Sequence, residues 1–167
     1  RCKSKCKRRD RHYKTRCKGH IMKIKSFRGT LADGEKNRIR LSTNQGLIGY
    51  RIVKFEILPF NPGRSDSEFV MQVFTEDPGT IPTSSATVNF ENPLLLAVAY
   101  FHQKDNTAYD SSHYAVFDHV KFNQDIYVSL TDNHGSDTCN YYIELEQVKL
   151  TTDEATVATL KDMRGRE

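Results

Sequence analysis

Apolar and polar residues alternate along most of this chain, and the alternation begins only after residue 20. In Ile48 to Leu58, Val53, Phe55 and Ile57 alternate with Ile52, Lys54 and Glu56. Period-two spacing of β-branched and aromatic residues predicts a half-buried strand. Pro59, Pro62 and Gly63 end it. Glu68 to Thr75 repeats the rhythm with Phe69, Met71 and Val73 on one face. So do Ile126, Val128 and Leu130, and then Cys139 to Leu150 with Tyr141, Ile143 and Leu145 inward. Near Gln147 the phase slips by one residue to Val148 and Leu150, which predicts a β-bulge there. Leu94 to Phe101 is apolar on both faces, as in a central strand covered on both sides. Shorter strands are predicted at Ile21 to Ser26, Arg38 to Leu41, Thr87 to Phe90 and Ala115 to Phe117.

Turn chemistry separates these runs. Ala32-Asp33-Gly34-Glu35, Thr43-Asn44-Gln45-Gly46 and Glu76-Asp77-Pro78-Gly79 carry the residues that tolerate turn backbones. The third continues through Pro82 into a loop of about ten residues. Residues 102–114 are polar and irregular, and Asp132-Asn133-His134-Gly135 is a hairpin-grade turn. Thr151 and Glu154 have capping-box spacing, so a short helix through Val157, Ala158 and Leu160 should close before Gly165. About eight strands without alternating helices exclude a parallel α/β fold. They predict an all-β, antiparallel sandwich or barrel with one C-terminal helix.

Charge divides the 167-residue chain differently. Residues 1–28 hold 13 Lys or Arg against Asp10, a net +12, while the other 139 residues hold 12 basic and 20 acidic side chains, a net −8. The overall +4 conceals this split. Residues 1–20 contain no Leu, Ile, Val, Met or Phe, so no core offsets the entropy of ordering them. Three segments follow: a flexible basic arm over 1–28, a sandwich over 29–150, and a helix with a tail over 151–167. The arm's Arg1, Lys3, Lys5, Lys7, Arg8, Arg9, Arg11, Lys14, Arg16 and Lys18 are the candidate nucleic-acid contacts. A membrane is the poorer partner, because an interfacial helix needs an apolar face. No apolar run approaches a membrane span, and no apolar h-region follows the basic start, so neither a spanning helix nor a secretory signal is expected. Arg1 is not an initiator residue; a product begun at Met22 would lack residues 1–21.

Cysteine spacing adds one alternative. Cys2, Cys6, His12 and Cys17 read C-x3-C-x5-H-x4-C, the ligand order of a zinc knuckle, a module that binds nucleic acid. The first two gaps are each one residue longer than in the retroviral knuckle, its Gly and aromatic positions are absent, and His20 competes as a ligand. Reduced thiols in a solvated arm are therefore expected, with no metal and no cofactor. Cys139 falls on a packed strand and reads as an inert buried thiol.

Catalytic signatures are lacking: the chain has no G-x-S-x-G, H-E-x-x-H, P-loop or G-x-G-x-x-G. His102, His113, His119 and His134 stand near Asp105, Asp110, Asp118 and Asp132 in sequence, and read as ordinary polar loop residues. Tyr141 and Tyr142 read as a core-and-surface pair. Tyr109 and Tyr114 keep open a carbohydrate- or receptor-binding sandwich. A non-enzymatic protein is expected.

The motif RCKSKCKRRDRHYKTR leads into a single β-domain whose strands run from GLIGYRIVKFEIL to NYYIELEQVKL. In this layout the chain resembles the jelly-roll coat proteins of small icosahedral viruses, including those with circular single-stranded DNA genomes. FNQDIYVSLTD also looks like a piece of marine viral structural proteins. The resemblance implies a jelly-roll-like β-sandwich, and a capsid subunit that assembles with copies of itself, or a capsid-associated protein. It further implies an arm bound to the viral genome without regard to sequence, and a place in the virion after passage through host nucleus or cytoplasm. The body is short for such coats, so its surface loops should be small.

Overall fold

The computed structural model describes residues 23–41, 47–63, 66–103, 111–117 and 119–157. Among them, the alternating runs form eight strands: β1 (Lys23–Leu31), β2 (Lys36–Ile39), β3 (Ile48–Pro59), β4 (Ser67–Phe74), β5 (Leu95–Gln103), β6 (Ser111–Val116), β7 (Ile126–Asp132) and β8 (Cys139–Lys149). They make two antiparallel sheets, ordered β1-β8-β3 and β2-β7-β4-β5-β6. The pairs β1–β8, β2–β7 and β4–β5 are those of a chain doubled back on itself and rolled up, the winding of a jelly roll. β6 departs from it. It pairs with β5 from Ala97↔Val116 to His102↔Ser111 and extends the larger sheet, touching β3 without pairing to it.

The core lies between the sheets. Ile52, Phe55 and Ile57 of β3 and Tyr141, Ile143 and Leu145 of β8 face Phe69, Met71 and Val73 of β4 and Ile126, Val128 and Leu130 of β7. Burying each such side chain contributes about 1.5–3 kcal/mol. β5 is covered on both faces as expected, with Leu95 through Ala99 all buried. The capping box also forms: Thr151 N–H donates to Glu154 Oε2 at 2.9 Å, and Glu154 N–H donates to Thr151 Oγ1 at 3.3 Å. It opens a short helix described over 152–157.

Five expectations need correction. Residues 111–114, expected to be irregular, belong to β6, which pairs with β5 and ends at Val116. Residues 23–28 belong to β1, paired in register with β8, so the sheet begins at Lys23 and not at residue 29. The bulge is on β3. Ile52 pairs with Leu145 and Lys54 with Glu144, leaving Val53 as the extra residue, outward and 38% exposed, while β8 runs unbroken past Gln147. Thr87 to Phe90 is not a strand. β4 and β5 already have neighbours on both edges, so residues 75–94 instead cross the outer face of the larger sheet. Gln72 Nε2 donates to the Thr87 carbonyl, Thr131 Oγ1 to the Pro82 carbonyl and Ala86 N–H to Asn133 Oδ1, each at 2.9 Å. Lys36 ties the same segment down through Asp77 and the Gly79 carbonyl. Finally, Asp132 to Gly135 is no hairpin, since β7 and β8 lie in different sheets.

Gly29 sits opposite Tyr141 and makes room for its ring. The ring crosses β1 so that its hydroxyl accepts from Asn37 Nδ2 at 2.9 Å, joining one sheet to the other. A Cβ on Gly29 would lie 2.6 Å from that hydroxyl and 2.8 Å from the ring. Gly29→Ala is expected to destabilise the fold by about 1–3 kcal/mol, read as a lowered urea midpoint. Combined with Tyr141→Leu, which removes the obstructing hydroxyl, it should cause less loss than the two single changes added together.

Candidate functional site

The ten arm cations from Arg1 to Lys18 lie outside the described residues, as do Cys2, Cys6, His12 and Cys17. The described chain fixes their point of attachment. Residue 23 opens β1, which has a neighbour on one side only and so forms an edge of the smaller sheet. Lys25 donates from Nζ to the Tyr50 hydroxyl at 2.8 Å.

Strand register fixes what the outer face of this sheet carries. Ser26, Arg28 and Thr30 of β1 stand beside Glu144, Tyr142 and Asn140 of β8, which stand beside Lys54, Glu56 and Leu58 of β3. Arg51 pairs with Glu146 at 2.5 Å and Lys54 with Glu56 at 3.1 Å. Tyr142 donates its hydroxyl to Glu144 at 2.8 Å under the Lys54 ammonium. The hydrogen bond that Lys54 donates to the Glu56 carboxylate raises its pKa, so this cation stays charged. Cations and carboxylates thus alternate and largely neutralise one another. A groove of about 750 Å³ crosses this face, lined by Arg28, Thr30, Glu56, Leu58, Asn140, Tyr142 and Tyr114 of β6. Of the two tyrosines singled out for a sugar site, Tyr114 reaches the groove and is 46% exposed; Tyr109 lies outside the described residues. Tyr142 and Arg28 join it only through strand register, which composition does not reveal.

The histidines are less scattered than their loops suggested. His102 is in β5 and His113 in β6, and their rings flank Tyr100 at 6.5 and 6.2 Å between centroids. His119 stands apart in an exposed turn. His134, in the β7–β8 connection, stands with His102 and Glu68, a group of side chains able to hold a metal. Glu68 was missed by the sequence reading; the signal was the β4–β5 register, which pairs it with His102. Asp105, Asp110 and Asp118 lie outside the described residues. Asp132 is no metal partner, because its buried carboxylate accepts the His134 and Asp137 N–H groups at 3.1 and 3.0 Å.

Cys139 is fully buried, and burial pushes its thiol up to about 12 from 9.0. Tyr141 is buried against the core and Tyr142 faces outward, as the pair suggested. No protein-family model matches the chain, and no curated protein shows significant sequence similarity to it.

With Cys2, Cys6 and Cys17 changed to Ser, the Cys139 thiol is expected to stay unreactive toward a disulfide reagent at pH 8 and to react fully in denaturant. Above pH 9 the unfolded thiol loses its proton while the folded one keeps it until about 12, so this group lowers stability as pH rises through that window. Alkaline urea titrations comparing the same variant with and without Cys139→Ser check the sign: the difference in midpoint should change in favour of the serine form as pH rises.

Proposed function

We propose that this protein is a virion structural protein whose sandwich packs against copies of itself while its basic arm binds the packaged genome without sequence preference. The observation that carries the reading is the joining of two features. A segment with ten cations against one acid over residues 1–22 runs directly into the edge strand of a jelly-roll-like sandwich. Jelly rolls serve capsids and lectins alike, so the fold alone does not decide. The arm weighs for a shell, where a confined polyanion needs counter-charge. Each Lys or Arg that meets a phosphate releases a counterion, and phosphate contacts carry no sequence information. The paired charges on the sheet face leave that work to the arm. The edge strands β1, β2, β3 and β6 and the loop ends would supply contacts between copies, closed by symmetry. Among the described residues no helix is long and apolar enough to cross a membrane.

Electron microscopy and light scattering of the full chain with single-stranded DNA at low salt test the assembly. Uniform closed particles are expected, and a persistent monomer overturns the reading. If all ten cations engage, log affinity against log salt should have a slope of about −9 on duplex DNA and about −7 on single strands, alike for unrelated sequences. Deleting residues 1–18 should remove this binding.

A second reading rests on the groove holding Tyr114, Tyr142, Asn140 and Arg28, a set suited to a saccharide ring and its hydroxyls. Glycan-array binding that survives deletion of residues 1–22 and is lost in Tyr114→Ala would favour it.

A further inference from the structure

Two strands and the β7–β8 connection bring a carboxylate and two imidazoles to one end of the larger sheet. Glu68 and His102 are directly opposed in the β4–β5 ladder. Phe69 pairs with Asp132, and Asn133 N–H donates to the Glu68 carbonyl at 2.9 Å, so the next residue, His134, arrives beside the Glu68 side chain. The ligand atoms of Glu68, His102 and His134 lie within 4.8 Å of one another. His134 Nε2 and Glu68 Oε2 are already 3.2 Å apart. Two ligand atoms on a tetrahedral zinc with bonds of about 2.0–2.1 Å stand about 3.3 Å apart. One pair therefore has the coordination spacing, and His102 need close by no more than about 1.5 Å, a small side-chain rotation.

The carboxylate is also held for the purpose. Glu68 Oε1 accepts from Asn133 Nδ2 at 3.1 Å and from the Tyr100 hydroxyl at 3.4 Å, which leaves Oε2 directed at the imidazoles. Tyr100 is itself packed between the His102 and His113 rings. Partners that orient a ligating carboxylate in this way are a regular part of metal sites.

We propose that Glu68, His102 and His134 form a site for a divalent transition-metal ion, zinc being the type ion. Two imidazoles favour such a metal over calcium or magnesium, which prefer oxygen ligands. Three protein ligands leave at least one position for water, in keeping with the half-exposed His134. The ion would tie β4, β5 and the β7–β8 connection together. The site stands whether or not the chain forms shells.

Cobalt(II) tests it in the full chain carrying Cys2, Cys6 and Cys17 as Ser, so that arm thiolates do not contribute. One equivalent should bind with visible d–d absorption and no thiolate charge-transfer band, zinc should displace it, and zinc should raise the melting temperature. His134→Ala, at an exposed position, should abolish the spectrum while the circular dichroism remains that of the folded chain. Asn133→Ala should weaken cobalt binding at least about tenfold. No cobalt spectrum, or one unchanged in both His102→Ala and His134→Ala and so owed to other groups such as His12 and His20, overturns the proposal.

Discussion

The structure depends on β8 lying between β1 and β3. Among the described strands it comes last and pairs on one side with the first, Lys23 to Gln147 through Leu31 to Cys139, and on the other with the longest. Its inner face, Tyr141, Ile143 and Leu145, is buried to 3% or less. Without β8 the smaller sheet does not exist, because β1 and β3 have no contact ladder of their own. The entropy of bringing such distant segments together grows only slowly with separation, and the apolar area they bury offsets it. Non-local pairing of this kind belongs to slow-folding β topologies, so β1 and the basic segment ahead of it become anchored only when the last strand docks.

That anchoring gives the charge distribution its meaning. With the sheet beginning at Lys23, the segment ahead of it holds ten cations and Asp10, and the remainder holds 15 basic and 20 acidic residues. Several cations of the smaller sheet have partners: Arg51 has Glu146, Lys54 has Glu56 and Tyr142, and Lys25 has Tyr50. The densest run of positive charge in the sequence thus leads into an edge strand of the sandwich. An edge strand ordinarily invites another strand to pair with it. A dense run of like charge leading into β1 opposes such pairing between bare subunits, and a polyanion that neutralises the run removes the opposition. If the chain does assemble around a genome as proposed, assembly and genome binding would be coupled through one edge.

Where burial alone sets the phase, the sequence was readable. Phe69, Met71 and Val73, then Ile126, Val128 and Leu130, then Tyr141, Ile143 and Leu145 alternate with polar residues and do face the core. The Thr151–Glu154 cap is local chemistry and forms as its spacing implies. Where a partner sets the phase, the sequence misled. Ile52 and Val53 are equally apolar, and only pairing with Leu145 and Glu144 decides which one bulges outward. Val148 and Leu150 imitated a bulge because they follow β8 to its end, where Leu150 is buried. Thr87 to Phe90 has strand composition, but the segment lies over β4 and β7, which already have neighbours on both sides. The groove and the Glu68–His102 pair come from strand register, which a single sequence does not print.

The β7–β8 connection links these two kinds of information. Its turn residues were plain in the sequence, yet the same chemistry serves a hairpin or a crossing. Here both carboxylate oxygens of Asp132 accept backbone N–H groups of the connection, which arches from one sheet to the other. Asp33 Oδ1 accepts the Asp132 N–H at 2.8 Å, so the β1–β2 turn braces the same point. That crossing delivers Cys139 to the inner face of the smaller sheet and starts β8 in register with Leu31. It also sets Asn133 and His134 against Glu68. The contact that seats the central strand and the contacts that gather the imidazoles are therefore consequences of one arch, and a change that loosens Asp132 must disturb both.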